Sequence, residues 1–402
     1  MGTNNYPVPS TGSSTSTVLP VNASSVILDG SLTSASTYTT TVNGNGGPAY
    51  LVASVNPATI TVGGTAYSVP ANTVVASKAF GTSTSVTVAA NFASTAPATF
   101  TASTMPSSSN WISVTYGNGY FVAVQDSGTT AGAYSTNGTS WTASTMPSSS
   151  AWFGVTYGNG YFVAVAGSGT TAGAYSTNGT TWTASTMPSA SSWTSVTYGN
   201  GYFVAIAINT TAGAYSTNGT TWTASTMPSS SAWYAVTYGN GYFVAVQASG
   251  TNAGAYSTNG TTWTASTMPS NNNWYGVAYG LVGATPTYVA VASGTTAGAY
   301  STNGTSWTAS TMPSNSYWFA VAYGNGYFVA IVYGTTAGAY STNGTTWTAS
   351  TMPSSSAWYA VTYGNGYFVA VQSTGTTAGA YFAQSTLLPV NFGIYASSKT
   401  VN

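Results

Sequence analysis

From Trp111 onward, short runs of apolar and small residues alternate with turn-forming pairs, and the alternation recurs to the end of the chain. Trp111–Tyr116, Tyr120–Val124, Ala131–Thr136 and Ser140–Thr145 read as four consecutive strands. They are closed in turn by Gly117-Asn118-Gly119, the stretch 125–130, Asn137-Gly138 and the stretch 146–150. The Asn-Gly pairs supply the positive φ angles that type I′ hairpin turns require. No segment carries an apolar period of 3.6 residues, so the expected fold class is all-β.

The heptapeptide Thr-Ala-Ser-Thr-Met-Pro-Ser begins at Thr101, Thr142, Thr183, Thr223, Thr264, Thr308 and Thr348, with spacings of 41, 41, 40, 41, 44 and 40 residues. A Trp follows each copy, at 111, 152, 193, 233, 274, 318 and 358. The long unit replaces the usual Asn-Gly by the turn insertion Leu281 to Pro286. Four antiparallel strands in every 40 or so residues is the sequence signature of a β-propeller.

The ends of the array predict closure. Phe100 sits 11 residues before Trp111, as Trp141 sits 11 before Trp152, so 99–104 is an orphan fourth strand. The last unit runs into Phe382-Ala383-Gln384-Ser385 and lacks its own fourth strand. Joining the two removes two open sheet edges. The expectation is a seven-bladed β-propeller of four-stranded blades over 98–383, with an N-terminal strand closing the last blade. Val114, Tyr116, Phe121 and Val124 should pack between blades, and Trp111 and Trp141 should fill the wider outer gaps.

Residues 15–97 lack the repeat but alternate in a β-like way at 26–28, 38–42, 50–55, 59–62, 74–80 and 86–90, which reads as a small β-sandwich-like attachment domain. Residues 1–14 read as a flexible or partner-ordered arm. The tail 384–402 should return to the attachment domain, since Ser385 to Asn391 echoes Ser16 to Asn22.

Composition narrows the chemistry. The 402 residues are 43% hydrophobic, 14% aromatic and 1% charged: Asp29, Asp126, Lys78 and Lys399 are the only formal charges. There is no His, Cys, Arg or Glu. Two lysines cannot neutralise a phosphate backbone, so nucleic acid is excluded as a partner. No His, Cys or carboxylate cluster can form a metal site, so no metal and no cofactor is expected. Acid–base and nucleophilic catalysis draw mainly on residues this chain lacks, so it is expected not to be an enzyme. No apolar run reaches 18 residues, so no membrane insertion is expected, and the N-terminus does not read as a secretory signal. Asp29 and Lys78 could pair across the attachment domain.

The stretch Ser135-Thr136-Asn137-Gly138-Thr139-Ser140-Trp141 recurs at 176–182, 216–222, 257–263, 301–307 and 341–347. It resembles the Asp-box (BNR) hairpin of sialidase-like propellers, with Asn where that family has Asp and one residue fewer before the Gly. Shortened boxes followed by Tyr-Gly-Asn-Gly-Tyr-Phe-Val-Ala look like repeats in phage tail and virion-surface proteins. The resemblance implies the fold. Sialidase chemistry does not follow, because that family clamps its substrate with arginines and uses a Tyr–Glu pair, and this chain has neither Arg nor Glu.

Between blades, the Gly-Asn-Gly and Asn-Gly-Thr turns are nearly uniform, whereas the opposite connections vary. The varied face offers Asn110, Gln125, Asp126, Asn209, Gln247, Asn271, Asn272, Asn273, Tyr317, Tyr333 and Gln372 as candidate ligand-binding residues. Neutral amides, hydroxyls and aromatic platforms on a rigid scaffold suit protein or glycan contact. The expected function is a non-enzymatic structural protein of a phage virion surface, on tail or capsid, reaching the exterior by host lysis. It would attach to other virion structural proteins through 1–97 and 384–402 and present the propeller to a host-surface glycan or protein. A cellular surface lectin or filament subunit and a ligand-free spacer or cement protein are the alternatives. A net charge near zero favours association, so a homo-oligomer is among the expected states.

Overall fold

The computed structural model describes residues 23–32, 37–42, 49–53, 58–69, 73–76, 84–90, 96–384 and 390–397. The arm 1–14, Lys78, Lys399 and the segment Ser16 to Asn22 lie outside the described residues, and with them the Asp29–Lys78 pairing and the sequence echo. The described residues contain strands and turns and no helix. The chain divides into two compact units, Thr95–Gln384 and a smaller one made of Met1–Ser94 with Ser385–Asn402.

The smaller unit holds two four-stranded sheets. One contains Thr37–Val42, Thr84–Ala90, Ala58–Val62 and Thr65–Val69, the last a strand that the sequence pattern misses. In the other, the C-terminal strand Val390–Ser397 lies between Ala23–Leu32 and Ala49–Ala53, antiparallel to both. Ala23 pairs with Ser397 at one end and Leu32 with Val390 at the other.

In the larger unit each repeat lays down four antiparallel segments. In the first, Trp111–Gly117 pairs with Tyr120–Gln125, that strand with Ala131–Ser135, and that with Thr142–Thr145. The orphan strand Thr101–Thr104 pairs with Ala378–Ala383 of the last repeat. Two kinds of turn separate the strands. At Gly-Asn-Gly both central residues are left-handed, Asn118 at φ 46° and Gly119 at φ 83°, as a type I′ hairpin demands.

The Asn137-Gly138 turn differs from the expected type I′ geometry, since only Gly138 turns left-handed. Here the Asn137 Oδ1 accepts the backbone N–H groups of Thr139 and Ser140 at 3.0 Å, and the Ser135 Oγ accepts that of Gly138 at 2.8 Å. Side chains replace the hairpin's own backbone bonds, so the fourth strand begins at Thr142 rather than Ser140.

Successive repeats stack face to face. Val122 and Val124 of one repeat share a buried cluster with Trp152, Val155 and Phe162 of the next. In the same way Val369 and Val371 of the last repeat pack with Trp111 and Phe121 of the first. Close approach needs glycine at one point. A Cβ on Gly117 would fall 2.0 Å from the Tyr157 ring, and the relation recurs around the array until Gly364 faces Tyr116 at 2.0 Å. Trp111 is fully buried and its indole N–H donates to the Ser107 carbonyl at 3.2 Å. Trp141 is only half-buried, so the two tryptophans are not equivalent fillers of one gap.

Candidate functional site: an aromatic axial mouth

The first strand of each repeat lines a central cavity of about 230 Å³. The residue after each Trp carries most of its chemistry: Ile112, Phe153, Thr194, Tyr234, Tyr275, Phe319 and Tyr359. A local irregularity puts it there. In every repeat the strand register slips at this position, so that Gln125 pairs with Trp111 while Val124 pairs with Ser113, and Ile112 is left over. The same slip leaves out Phe153, Tyr234 and Tyr359. Such a bulge re-aims one side chain out of the strand's alternation. The Trp before it is buried between repeats and the bulged residue faces the axis.

On one side of the axis the bulged residues form a continuous aromatic cluster. Tyr275 and Phe319 stack at 4.6 Å with a 27° interplanar angle. Tyr234 meets Tyr275 edge-on at 4.6 Å, and Phe319 lies 4.3 Å from Tyr359. The hydroxyls of Tyr234 and Tyr359 are 2.8 Å apart. Burial pushes both phenols above their usual range, Tyr234 strongly. On the other side stand Ile112, Phe153 and Thr194, whose hydroxyl donates to the Trp233 carbonyl at 2.8 Å. Neighbouring inner strands are also tied by Val155 N–H to Ser113 Oγ at 3.1 Å and Val236 N–H to Ser195 Oγ at 3.2 Å.

A second tier of residues follows the second strands. Asp126, Gly167, Ile208, Ala248, Ser293, Tyr333 and Ser373 occupy equivalent repeat positions. In five repeats the backbone N–H here donates to the carbonyl of the residue before the Trp, as Asp126 does to Asn110 at 3.1 Å and Gly167 to Ala151 at 2.7 Å. The position faces the bulged residue: a Cβ on Gly167 would lie 2.3 Å from the Phe153 ring, and the Tyr333 ring is 5.8 Å from Phe319. Tyr333 is 41% exposed, so the aromatic cluster reaches solvent.

Tyr333 is therefore the candidate from the sequence that the fold brings to the aromatic cluster, and Asp126 holds the equivalent position in the first repeat. Burial raises the Asp126 carboxyl above the usual carboxylate range, opposed by hydrogen bonds from the Asn110 side chain and its own backbone. Its Oδ1 is buried without a hydrogen-bond partner.

The other candidates have different settings. Gln125, Gln247 and Gln372 are fully buried, which corrects their reading as ligand contacts. Each amide closes its own connection: Gln125 to Ser127 and Thr129, Gln247 to Ser249 N–H and the Thr251 carbonyl at 2.7 Å, Gln372 to Thr374 and Thr376. Asn209, Tyr317 and Tyr333 do not sit on free loops as expected. Their segments pair with the adjoining connection, as in Ile208 with Ala232, Ser293 with Tyr317, and Tyr333 with Ala357.

Tyr317 is 60% exposed and Asn209 is exposed with φ 57°. Asn271 is exposed, and Asn272 bonds to Ser270 at 2.7 Å. The Asn110 and Asn273 carboxamide oxygens would lie 3.6 and 3.8 Å from a Cβ added at Gly375 and Gly250 respectively. No cluster of three or more metal-ligating side chains occurs among the described residues.

No family model and no curated protein matches the sequence. Solved structures do match. Virginiamycin B lyase from Staphylococcus aureus superposes with a TM-score of 0.62 at 13% identity, covering 70% of this chain and 98% of that one. YCF48 from Cyanidioschyzon merolae gives 0.54 at 14% identity over 70% and 98%. The β-propeller domain of Swd1 from Myceliophteria thermophila gives 0.54 at 8% identity over 70% and 99%. At these identities the likeness carries the fold alone, and that fold is the β-propeller.

Proposed function

We propose that this chain is a non-enzymatic surface-contact protein built on a closed seven-bladed propeller. Seven repeats, the pairing of Thr101–Thr104 with Ala378–Ala383, and the Gly364–Tyr116 contact between last and first repeats support that ring. The Asn137 turn, whose carboxamide oxygen gathers backbone N–H groups, supports the resemblance to shortened Asp-box hairpins. From that resemblance we read the protein as a phage virion-surface component, held by its smaller unit and presenting the propeller to a host glycan.

One observation carries the contact role. The repeat position that varies most along the inner strands is also the one that a bulge aims at the axis, and there it gathers Tyr234, Tyr275, Phe319 and Tyr359 beside exposed Tyr333. Stacked aromatic platforms at the mouth of a rigid pocket suit the apolar faces of sugar rings. Lyase chemistry is not carried over: a histidine-to-alanine variant of the S. aureus enzyme is described as catalytically inactive, and this chain has no histidine.

The test is binding of the full chain to a glycan array and to whole host cells, with Tyr333→Ala beside the wild type. Selective binding that falls at least about tenfold in the variant is expected for a stacking contact. Absence of binding to every glycan and cell surface would leave the propeller as a spacer.

A further inference from the structure

The central cavity is lined three residues deep in every repeat, from the bulged residue through a Ser, Gly or Ala to Val114 and its equivalents, which are 6–8% exposed. Three successive strand residues span about 7 Å, the depth of one pyranose ring. At about 230 Å³ the cavity lies below the roughly 300 Å³ at which pockets for drug-sized ligands begin. It has room for one ring and no more. None of the residues that line it carries a formal charge.

Its wall is nonetheless polar, with donors and acceptors together. Val155 stands opposite Ala164 of its own hairpin, yet its N–H donates to the Ser113 Oγ of the preceding repeat at 3.1 Å. Its backbone therefore turns away from the hairpin, and in an antiparallel pair a residue's carbonyl points the same way as its N–H. Val236 repeats the arrangement with Ser195 at 3.2 Å. Elsewhere the preceding repeat has Gly or Ala there, with no hydroxyl to cover the valine: a Cβ added at Gly154 would lie 3.2 Å from the Val196 nitrogen. Ser113 and Ser195 accept these bonds and keep their O–H donors, while Thr194, which donates to the Trp233 carbonyl, keeps its acceptor lone pairs. The hydroxyls belong to the first and third repeats, and the packed rings of Tyr275, Phe319 and Tyr359 to the fifth, sixth and seventh.

A small uncharged space of this kind suits a guest whose hydroxyls both donate and accept. An ion of either sign would lose its water there and find no counter-charge in the lining. The rings add a platform for the apolar face of such a guest. A socket one ring deep takes a sugar end-on, whereas an interior residue of a glycan would need space for both its neighbours.

We infer that the axial cavity binds the terminal sugar of a glycan, a single neutral pyranose ring, with Ser113, Thr194 and Ser195 meeting its hydroxyls. This rests on the contact reading above and names the class of sugar that the site selects.

Calorimetry on the full chain tests the assignment, using methyl pyranosides of neutral hexoses, their N-acetylamino and 6-deoxy forms, and the matching hexuronates. At least one neutral glycoside should bind, and at least about tenfold more tightly than its hexuronate, whose charge the lining cannot pair. Thr194→Phe places at this position the residue that the second and sixth repeats carry, so the thermal midpoint should be kept while the ring fills the socket and binding is lost. Thr194→Ile, the residue of the first repeat, should weaken binding about tenfold by removing one hydroxyl. No neutral glycoside bound at millimolar concentration, equal binding of the hexuronate, or unchanged binding in Thr194→Phe would each overturn it. Glycan-array or whole-cell binding that falls in Tyr333→Ala yet survives Thr194→Phe would uphold the surface-contact reading and remove the axial socket.

Discussion

The phenol oxygens of Tyr234 and Tyr359 meet at 2.8 Å although their residues belong to the fourth and seventh repeats. Both are bulged residues of inner strands, so this hydrogen bond directly joins two repeats that are not neighbours in sequence. Removing one hydroxyl leaves the other half-buried and unpaired. Tyr234→Phe or Tyr359→Phe should each cost about 1 kcal/mol, and the double variant should cost less than the sum. Denaturant melts of the four proteins measure this coupling directly, and strict additivity would show that the bond contributes nothing.

Ring closure is tested at Gly364. An added Cβ would lie 2.0 Å from the Cγ of Tyr116 and 2.5 Å from its Cβ, the base of the ring rather than a flexible tip. Gly364→Ala should therefore destabilise by about 1–3 kcal/mol. Combining it with Tyr116→Ala should return part of the Gly364→Ala loss, because the clash disappears. In an open array, with first and last repeats apart, Gly364→Ala would leave the melting point unchanged.

The tryptophans should separate into two classes. Trp111→Ala empties a fully buried site and removes the partner of the Ser107 carbonyl, for a loss of about 3–5 kcal/mol. Trp141 is half-buried and its indole nitrogen has no partner, so Trp141→Ala should cost clearly less. Equal losses would contradict the burial pattern.

Stability should be nearly level through the neutral range and fall in alkali. The Tyr288 phenol is raised well above its usual value by burial first, then by its neighbours Tyr279, Tyr238 and Tyr242. A folded-state value above the unfolded one, about 10, means a contribution complete below that pH and lost as pH climbs through the folded value. Tyr234 and Tyr359 act in the same direction. Asp126, also raised, has its contribution lost as pH rises through the acid range, and solvent screening keeps it below about 1 kcal/mol. Tyr288→Phe, the residue every other repeat carries here, should flatten the alkaline fall in thermal midpoints measured against pH.

The scaffold was legible because each local signal recurs. Gly-Asn-Gly fixes a hairpin at every copy, and the orphan strand at 101–104 matches the one missing after Phe382. The site was less so. Plain alternation assigns the residue after each Trp no special direction, and only the register slip turns Tyr234 or Tyr359 to the axis. A signal did exist: between an unchanging Trp and an unchanging Val three residues on, this position changes from Ile112 to Phe153, Thr194 and Tyr234. Gln125, Gln247 and Gln372 misled because an amide at a strand end reads as exposed, while its capacity to close its own connection depends on burial. The echo of 16–22 in 385–391 pointed the tail back toward residues 15–97, but the strand 390–397 and its pairing with 23–32 were beyond local pattern.

That last pairing imposes an order of events during synthesis. Strand Val390–Ser397 is an interior member of a sheet whose flanking strands, Ala23–Leu32 and Ala49–Ala53, leave the ribosome before any of the repeats. The smaller unit must wait, its two flanking strands lacking the one neighbour they share, while the whole of 95–384 is made and can fold as a unit of its own. A chain that stops early, even one with every repeat complete, carries a gap in the middle of that sheet. Completion of the small unit thus reports that translation has passed through the last repeat, so an assembly that recruits through it would admit only chains in which every repeat has been made.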